Sequence, residues 1–520
     1  MKQFLVTAAQ MKRYDRNTIE KLHMPALLLM ERAALVTVEE IQRLCGSTPC
    51  RVMILAGCGN NGGDGLAVGR LLMLQGYEVV YVIPVEDFYD RCTEETKRQI
   101  DILRGYQAQI FSTIQEGEYD IVVDALLGIG VSRPVEGSFQ DAIEWIGRSR
   151  AFVCSVDLPS GIHADTGEVM GCGVRADLTV TYGFRKIGQM LYPGALYCGR
   201  LVCRQMGIDE HSFYEKPPHW YTYDRAACEL LPARPANGNK GSFGKALVIA
   251  GNKEIAGAAM MAAKSVFRTG AGMVKVVTAA ENRTALQQFV PEAMILTYTD
   301  EDAGREETQF MASLREAQAW ADCILAGPGM GMGKMAERLL QFSIMESGLP
   351  LVIDADGINL LAQDKKLQEA LADRPKKDQA VILTPHLGEF ARLYGCTTTQ
   401  ARAHLTEYPL QLCDRLRCTV VCKDARTIVA AWKESQHYLN TTGNSGMATA
   451  GSGDVLAGMV TGLLAQGMTG YQAAAAGVFL HAAAGDLAAE QRTETSMTAT
   501  DIIDRIGEAV RKGGSHAQDQ

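Results

Sequence analysis

The chain has 520 residues, of which 47% are hydrophobic and 21% are charged. One hydrophobic core seldom exceeds about 250–300 residues, so we expect two globular domains. The formal net charge of -9 argues against a nucleic-acid-binding protein, which would need a clustered basic face. Residues Met1–Glu20 contain no uninterrupted apolar segment, so we expect no signal peptide and no membrane span. The 14 cysteines include no Cys-x-x-Cys pair. We therefore expect a cytoplasmic protein with reduced thiols and no membrane association.

The first part of the chain alternates strand and helix patterns. A helical opening around Leu27–Met30 precedes a predicted strand at Val52–Ala56, a glycine-rich turn and a helical stretch at Leu66–Leu74. Further apolar runs predict strands at Val79–Ile83, Ile121–Asp124 and Phe152–Val156. Short apolar strands separated by helices are typical of a parallel sheet covered on both faces. This pattern predicts an α/β fold that resembles a Rossmann-like three-layer sandwich.

The composition changes between Gly207 and Gly241, where prolines discourage continuous helix. We place the boundary after Lys216, which gives domains at 1–216 and 217–520. A second α/β alternation follows, with a helix at Ala258–Thr269, further helices after Gly453, and strands at Ala246–Ala250, Val274–Thr278, Cys323–Ala326, Leu351–Asp354, Val381–Thr384 and Thr419–Lys423. The apolar stretch Ala473–Ala489 is interrupted by glycine, histidine and aspartate, so it predicts a packed core helix and not a membrane span.

A glycine-rich segment joins the first predicted strand to its helix. It covers Gly57–Gly65 and reads Gly-Cys-Gly-Asn-Asn-Gly-Gly-Asp-Gly. Glycines let the backbone approach an anion closely, and the helix N-terminus supplies free N–H donors. A dinucleotide fingerprint would also need an acid at the end of the second strand, where Glu86 and Asp87 come late. The alternatives are a tight turn without a ligand and the site of a hydride-transferring dehydrogenase.

Two aspartates follow the ends of later strands in the same domain. Asp124 ends one predicted strand, and Asp157 comes directly after the next. Because the carboxyl ends of parallel strands face one crevice, both side chains should converge with the glycine turn. The alternative is that each aspartate caps a helix.

These segments together resemble the NAD(P)HX epimerase family. The resemblance is carried by the nonapeptide above, by Asp-Ala-Leu-Leu-Gly-Ile-Gly at 124–130 and by Asp-Leu-Pro-Ser-Gly at 157–161. It implies that a potassium ion is held by Asn61, Asp124 and Ser160. It also implies that Asp157 is the proton-transfer carboxylate, in a substrate pocket lined by Asn60, Asn61, Gly62, Gly63, Asp64, Gly128, Ile129, Gly130, Val131, Ser132, Arg133, Pro134 and Asp157.

A second glycine-rich segment, at 444–454, ends in Gly451-Ser452-Gly453-Asp454 and precedes the apolar-periodic run Val455–Leu464. Such a turn offers N–H groups for a phosphoryl oxygen and a carboxylate, Asp454, that can take a hydroxyl proton. The alternative is that Asp454 caps the following helix. The sequence contains no Gly-x-x-x-x-Gly-Lys-Ser/Thr motif, which excludes a P-loop.

The Gly-Ser-Gly-Asp sequence resembles the corresponding loop of ribokinase-like kinases. The blocks around it, at 327–331, 354–357, 384–389 and 423–427, are similar to the ADP-dependent NAD(P)H-hydrate dehydratase family and predict a ribokinase-like α/β domain. The resemblance implies that Asp454 is the catalytic base and that Ala258, Gly329, His386 and Asp454 contact the substrate. His386 alone could equally cap a helix. ADP would be bound by Lys423, Asp424, Ala425, Arg426, Thr427 and Gly453, with a magnesium ion bridging its phosphates.

Together the two halves resemble the bifunctional NAD(P)H-hydrate repair family. This resemblance implies that the first domain interconverts R- and S-NAD(P)HX, and that the second dehydrates the S epimer with ADP, releasing AMP and phosphate. The expected small-molecule partners are NAD(P)HX and ADP, and we expect a homo-oligomer. One alternative is a kinase of small alcohols or vitamins. Another treats the first domain as a non-catalytic nucleotide-binding or scaffolding module.

Overall fold

The structure is a computed structural model that describes residues 2–46, 48–224, 231–303, 308–374 and 380–512. Its backbone contacts divide the chain into two units. The N-terminal unit comprises residues 4–220, and the C-terminal unit comprises residues 221–520 together with the first three residues. The sequence places the boundary after Lys216, whereas the contacts place it after Trp220.

The N-terminal unit is built on a parallel sheet. Its strands lie in the order β4-β3-β2-β5-β6-β7-β9, and all neighbouring pairs run parallel. A shorter parallel pair joins β1 to β8. The strands are β1 (Lys2–Val6), β2 (Arg51–Ala56), β3 (Glu78–Val82), β4 (Ile110–Phe111), β5 (Ile121–Ala125), β6 (Phe152–Val156), β7 (Leu178–Tyr182), β8 (Arg185–Lys186) and β9 (Arg200–Arg204). The helices are α1 (Ala8–Glu20), α2 (Ala26–Cys45), α3 (Asn60–Leu74), α4 (Phe88–Arg91), α5 (Glu94–Gly105), α6 (Ser138–Arg148) and α7 (Ile187–Met190).

Strand β2 shows how the sequence builds the three layers. Successive side chains of a strand point to opposite faces of its sheet. Val52 and Ile54 pack into one hydrophobic cluster with residues of α2 and α3, whereas Met53 and Leu55 pack into another with residues of α6. All four side chains are fully buried. Helices therefore cover both faces of the sheet, which confirms the predicted sandwich.

The C-terminal unit contains a second and larger sheet, with its strands in the order β13-β12-β11-β14-β15-β16-β17-β18-β19-β10. Strands β11 to β17 pair in parallel, whereas β17, β18 and β19 form antiparallel pairs. The strands are β10 (Trp220–Tyr223), β11 (Lys245–Ile249), β12 (Met273–Ala279), β13 (Met294–Tyr298), β14 (Cys323–Ala326), β15 (Leu351–Ile353), β16 (Val381–Leu383), β17 (Thr419–Cys422), β18 (Ile428–Ala431) and β19 (His437–Leu439). This mixed sheet confirms the predicted α/β class and adds an antiparallel edge.

Helices follow the strands of this unit. They are α8 (Gly257–Arg268), α9 (Arg283–Phe289), α10 (Asp300–Ala303), α11 (Gln309–Trp320), α12 (Lys334–Gln341), α13 (Asp356–Gln363), α14 (Lys365–Ala372), α15 (Leu387–Tyr394), α16 (Thr398–Ala403), α17 (Tyr408–Leu416), α18 (Ser452–Ala465), α19 (Gly470–Arg492) and α20 (Ala499–Lys512). Helix α18 packs closely on α8, since a β carbon added at Gly458 would lie 2.4 Å from the Ala262 carbonyl oxygen. Helix α19 is largely buried, as predicted for a core helix. None of the helices in the described ranges has the length and apolar content needed to span a lipid bilayer.

Candidate active sites of the two units

The first glycine turn folds tightly against the end of strand β5. The Gly57 N–H donates to the Ala125 carbonyl at 3.0 Å. A β carbon at Gly57 would lie 2.0 Å from the Leu126 carbonyl oxygen, and one at Gly62 would lie 1.8 Å from the Gly57 carbonyl oxygen. No side chain fits in either place, so glycine at both positions is a steric requirement of this turn.

A polar cluster lies beside this turn, centred on the fully buried Asp124. Its Oδ2 accepts hydrogen bonds from Ser155 Oγ at 2.7 Å and from the Ser160 N–H at 2.9 Å, and its Oδ1 accepts one from the Ser160 hydroxyl. The Leu127 N–H donates to Ser160 Oγ at 2.9 Å, and Asn61 Nδ2 donates to the Leu127 carbonyl at 3.3 Å. The structure thus brings the three predicted potassium ligands together, and Asp124 is not a helix cap.

The donor set of this cluster suits a hard monovalent cation. Burial raises the pKa of Asp124, and hydrogen bonds from Ser160 and Ser155 oppose the rise. Within the described ranges, no cationic side chain forms a hydrogen bond to Asp124, so a bound cation would stabilise its buried charge. The described residues contain no group of three or more His, Cys, Asp or Glu that could hold a metal ion. The carboxylate, hydroxyl, amide and carbonyl oxygens therefore fit potassium better than a transition metal.

Asp157 is held rigidly at the end of strand β6. Its backbone adopts a left-handed conformation with φ of 64°, which is uncommon for a residue with a side chain. Its Oδ1 accepts hydrogen bonds from the ammonium group of Lys186, from Thr181 Oγ1 at 3.0 Å and from the Tyr182 N–H at 3.3 Å. Lys186 is fully buried. Within the described ranges Oδ2 receives no hydrogen bond, so it is the oxygen of Asp157 that remains available.

A cavity of about 570 Å³ lies along this edge of the sheet. Of the predicted site residues it is lined by Asn60, Asn61, Asp64, Gly128, Ile129, Gly130 and Asp157. Gly62 and Gly63 do not line the cavity. A β carbon on Gly63 would lie 2.6 Å from Cε of Met30, which does line it. The predicted substrate residues at 131–134 are not among those that line the cavity; they lead to Val135, whose N–H donates to the Met170 carbonyl.

The cavity gathers more acidic groups than the sequence analysis identified. Burial raises the pKa of Asp64 well above its usual range, and nearby Asp157 and Asp15 raise it further. Burial also raises the pKa of Asp15, with added contributions from Glu95 and Asp157. Sequence analysis did not identify Asp15 or Lys186 as site residues. Asp15 lies on α1, which the Thr7 capping box starts.

The second glycine turn begins helix α18 in the C-terminal unit. The N-cap is Gly451, with φ of 87° and no side-chain cap. Asp454 therefore lies within the first turn and does not cap the helix, and none of the described residues forms a hydrogen bond to its carboxylate. A carboxylate at this position faces the positive end of the helix dipole.

A buried ion pair lies beside this turn. Lys423 Nζ donates to Asp354 Oδ1 at 2.8 Å, and Thr384 Oγ1 donates to the same oxygen at 2.8 Å. Asp354 is only 1% exposed. A β carbon at Gly453 would lie 3.1 Å from Lys423 Nζ, so the ammonium group lies against the turn that carries Asp454.

The charges around Asp454 adjust its protonation. Burial, and then the charge of Asp354, raise the pKa of Asp454 to about 7 against the opposing effect of Lys423. The pKa of Lys423 itself is raised: burial alone would lower it, but Asp354 and Glu389 more than compensate. A carboxyl with a pKa near neutrality is suited to act as a general base.

His386 caps helix α15. Its Nδ1 accepts the Gly388 N–H at 3.0 Å and the Glu389 N–H at 3.4 Å, while Glu389 Oε2 accepts the His386 N–H at 2.9 Å. This reciprocal capping box bears out the alternative noted for His386. The ring keeps about half of its surface exposed, so the cap leaves room for a substrate contact.

The other predicted residues of this unit lie at the start of helix α8, in the loop after β14 and in the loop after β17. A β carbon on Gly329 would lie 2.8 Å from Ala258 Cβ, which brings these two residues together. The loop 423–427 connects β17 to β18, and the Lys423 N–H donates to the Pro385 carbonyl at 2.8 Å. Ala355, which lies between Asp354 and Asp356, has φ of 48° and ψ of -116°, a backbone conformation favoured by glycine.

Two family models match separate stretches of the chain. One family model, described as NAD(P)H-hydrate dehydratase, matches residues 246–508, and another, described as YjeF-related protein N-terminus, matches residues 26–188. A solved structure of the ADP/ATP-dependent NAD(P)H-hydrate dehydratase from Bacillus subtilis, co-crystallised with ATP and Mg²⁺, is 27% identical, covering 56% of this chain and 98% of that chain, with a TM-score of 0.47.

Relatives named bifunctional NAD(P)H-hydrate repair enzyme Nnr match nearly the whole chain. That of Thermofilum pendens is 33% identical over 97% of this chain and 95% of the relative. That of Moorella thermoacetica is 34% identical, with coverages of 98% and 97%, and that of Escherichia coli is 31% identical, with coverages of 97% and 93%. These matches confirm the resemblance found in both halves of the sequence, and the chain belongs to the family of bifunctional NAD(P)H-hydrate repair enzymes.

Proposed function

We propose that the N-terminal unit interconverts R- and S-NAD(P)HX, and that the C-terminal unit dehydrates the S epimer with ADP, releasing AMP and phosphate. One observation carries the proposal: each unit has an aspartate beside a glycine-rich turn. Asp157 lies at the carboxyl end of strand β6, and Asp454 lies at the start of helix α18. Each site thus combines backbone N–H groups for a phosphate with a carboxylate for a proton.

In the epimerase site, the hydrated nicotinamide nucleotide would occupy the 570 Å³ cavity. Asp157 would exchange a proton with the ring hydroxyl through its free Oδ2. Asn61, Asp124 and Ser160 would hold potassium, whose charge stabilises the buried carboxylate of Asp124. Because Ser160 Oγ and Asn61 also bond Leu127, this cluster would keep the start of the following loop, at 128–130, in position beside the substrate.

In the dehydratase site, Asp454 would remove the proton from the ring hydroxyl. The resulting oxygen attacks the β-phosphorus of ADP, so that an O–P bond forms and AMP leaves. The ring C–O bond then breaks as the ring nitrogen donates its electron pair, phosphate departs, and loss of a proton from the adjacent ring carbon completes NAD(P)H. The N–H groups at the start of α18, beside Gly453, stabilise the charge that develops on the phosphoryl group.

The nucleotide would be held by Gly453 and the loop 423–427, and the hydrated ring by Ala258, Gly329 and His386. Magnesium supplies charge neutralisation on the phosphates when it is bound. Lys423 and Thr384 both hydrogen-bond Oδ1 of Asp354, and the His386 N–H hydrogen-bonds Glu389. Within the described ranges Oδ2 of Asp354 accepts no hydrogen bond, so it would be available to help hold magnesium beside the phosphates.

The rival functions make different products. A kinase of small alcohols could use the same aspartate and turn, but it would leave phosphate on the organic product. A scaffolding N-terminal unit would leave the rate of epimer interconversion at its spontaneous value. Membership of the repair family favours epimerisation and dehydration over both. A homo-oligomeric state and a cytoplasmic location stay predictions from the sequence.

One assay tests both halves of this proposal. The full chain is incubated with a mixture of hydrated NADH epimers and ADP, and the absorbance of reduced nicotinamide is followed. We expect conversion to run to completion with free phosphate and AMP as products. Asp454→Asn should abolish recovery of NADH. With Asp157→Asn, NADH should be recovered rapidly from the S epimer only, and the R epimer should then be converted at the spontaneous rate of epimerisation. Phosphate retained on the nicotinamide product would contradict the dehydratase assignment.

A further inference from the structure

The epimerase cavity contains two aspartates in opposite electrostatic surroundings. Asp157 accepts a hydrogen bond from the buried ammonium group of Lys186, and its Oδ1 is also bonded to Thr181 and Tyr182. Asp64 lies in the second turn of α3 and lines the same cavity. Within the described ranges, its carboxyl forms no hydrogen bond. One carboxyl is therefore stabilised as an anion, and the other is not.

The other charged and titratable groups around the cavity reinforce this difference. Lys12 and Asp15 on α1, Glu95 on α5 and Tyr182 at the end of β7 also line it, and Cys203 on β9 is close enough to interact electrostatically with Lys186 and Asp157. Burial, Asp157 and Asp15 all raise the pKa of Asp64, with only partial opposition from Lys186. The thiol of Cys203 and the phenol of Tyr182 are both neutral near pH 7, because burial raises the pKa of each. Asp64 thus favours its neutral form, whereas Asp157 in the same cavity is hydrogen-bonded to a buried ammonium group.

Epimerisation of a hydrated nicotinamide ring needs both forms of a carboxyl. The hydroxyl-bearing carbon is bonded to the ring nitrogen, so its C–O bond can break with the electron pair leaving on oxygen while the nitrogen lone pair forms a C=N bond. The departing oxygen must gain a proton to leave as water. A second water then adds to the opposite face, returns the C=N electrons to nitrogen and must lose a proton. One acid and one base on opposite faces satisfy this balance.

We propose that Asp64 and Asp157 exchange the ring hydroxyl as a pair: Asp64 protonates the hydroxyl that leaves one face, and Asp157 Oδ2 takes a proton from the water that enters the other. Lys186, which does not line the cavity, is a positioning residue that holds Oδ1 of Asp157 and leaves Oδ2 available. In the reverse direction the two aspartates exchange roles, so the pair holds one proton in either state. This inference rests on the epimerase function proposed above.

The decisive variant is Asp64→Asn, which keeps the shape of the side chain but cannot transfer the proton. Epimer interconversion is measured in the full chain without ADP, by chromatographic separation of the two epimers. We expect a fall of at least about 100-fold, the usual lower value for loss of a general acid. Asp141→Asn removes an exposed carboxyl of the same unit that does not line the cavity, and it is the matched control, with an expected change of less than about threefold. Dehydration of purified S epimer with ADP should be unchanged in both variants, and an unchanged melting temperature of the N-terminal unit verifies its folding.

The role of Lys186 is tested by separating kcat from KM. In Lys186→Met epimerase kcat should fall with little change in KM, because Asp157 loses the ammonium hydrogen bond that holds its Oδ1. Lys186→Arg should restore most of the wild-type kcat, since it returns a cationic donor. A Lys186→Met variant with an unchanged kcat, or with a change in KM alone, would overturn the positioning role.

Isotope incorporation tests the bonds that break. In H₂¹⁸O, each epimerisation should introduce one ¹⁸O atom into the ring hydroxyl, and epimerisation with retention of ¹⁶O would overturn C–O cleavage. Full activity in Asp64→Asn together with loss of activity in Asp157→Asn would overturn the paired mechanism and leave the epimerase function intact. A wild-type chain that does not exceed the spontaneous rate would overturn the function and the inference together.

Discussion

At the scale of single residues, Asp454 shows how neighbouring charges adjust a base. Burial and Asp354 raise its pKa to about 7, while Lys423 opposes the rise. Since the base must be ionised to accept a proton, dehydratase kcat/KM should increase with pH through about 7 and level off above it. Measuring kcat/KM between about pH 5.5 and 9 checks this expectation, and a flat profile would contradict it.

The variant Lys423→Met extends that measurement. It removes the cation that lowers the pKa of Asp454, so the midpoint of the same profile should move to higher pH. Weaker ADP binding is also expected, because Lys423 borders the proposed nucleotide loop. The midpoint of the profile separates the electrostatic effect from the loss of affinity, and a midpoint that stays in place would argue against an effect of Lys423 on Asp454.

The buried Asp124 predicts a dependence on potassium. Replacing potassium with a larger organic cation such as tetramethylammonium should lower epimerase activity, because the uncompensated carboxylate destabilises the loop at 128–134. Adding potassium should raise the melting temperature of the N-terminal unit. Asp124→Asn should lose both responses, and calorimetry with an epimer assay measures them. Equal responses in wild type and variant would contradict a potassium site at Asp124.

Sequence analysis identified some residues of the sites and missed others for physical reasons. Asp124, Asp157 and Asp454 each follow a strand or glycine turn, so topology alone brings them to a crevice. Lys186 was missed because lysine is rarely buried, and it lies in a polar stretch without a motif. Asp15 was missed because one acid in an amphipathic helix usually faces solvent. Their roles depend on tertiary contacts that no local spacing reports.

At the scale of elements, the start of α18 depends on how closely that helix packs on α8. Gly458→Ala would bring a methyl group 2.4 Å from the Ala262 carbonyl oxygen, so we expect about 1–3 kcal/mol of destabilisation and a slower dehydratase. Gly507→Ala, in the interior of α20 with no atom within 4 Å of the new methyl, is the control and should stabilise by about 0.5–1 kcal/mol. Thermal unfolding measures both, and equal effects would contradict the packing argument.

The strands that were predicted and those that were missed differ in the strength of their apolar pattern. Strand β2 lies in the middle of its sheet and is an uninterrupted apolar run, which predicts a buried parallel strand. Strand β7 alternates apolar residues with threonine, and strand β9 has only three apolar residues between two arginines. Neither strand was predicted. Hairpin β18–β19 was missed as well, because the second strand, His437–Leu439, is too short to give a pattern.

At the scale of the whole molecule, the two sites lie in separate units, and we expect the epimer to pass between them by diffusion. Mixing Asp157→Asn and Asp454→Asn chains should therefore restore rapid conversion of both epimers, although Asp157→Asn alone converts the second epimer only at the spontaneous rate and Asp454→Asn alone recovers no NADH. At equal active-site concentrations the rate should approach that of wild type at half its concentration. The assay follows NADH absorbance to its end point. Failure to complete the reaction in the mixture would indicate that the substrate cannot pass between chains.

The backbone at Ala355 has a consequence for the stability of the entire chain. Its φ of 48° and ψ of -116° cost about 1–3 kcal/mol for any residue other than glycine. The same backbone conformation places the two neighbouring carboxylates. Asp354 accepts a hydrogen bond from Lys423, and Asp356 accepts one from the Gly331 N–H at 2.7 Å. Ala355→Gly should relieve it, raising the free energy of unfolding by about 1 kcal/mol after the added flexibility of glycine, while turnover falls. Alanine at this position therefore lowers the stability of the folded chain while it favours turnover, which is a compromise between stability and activity.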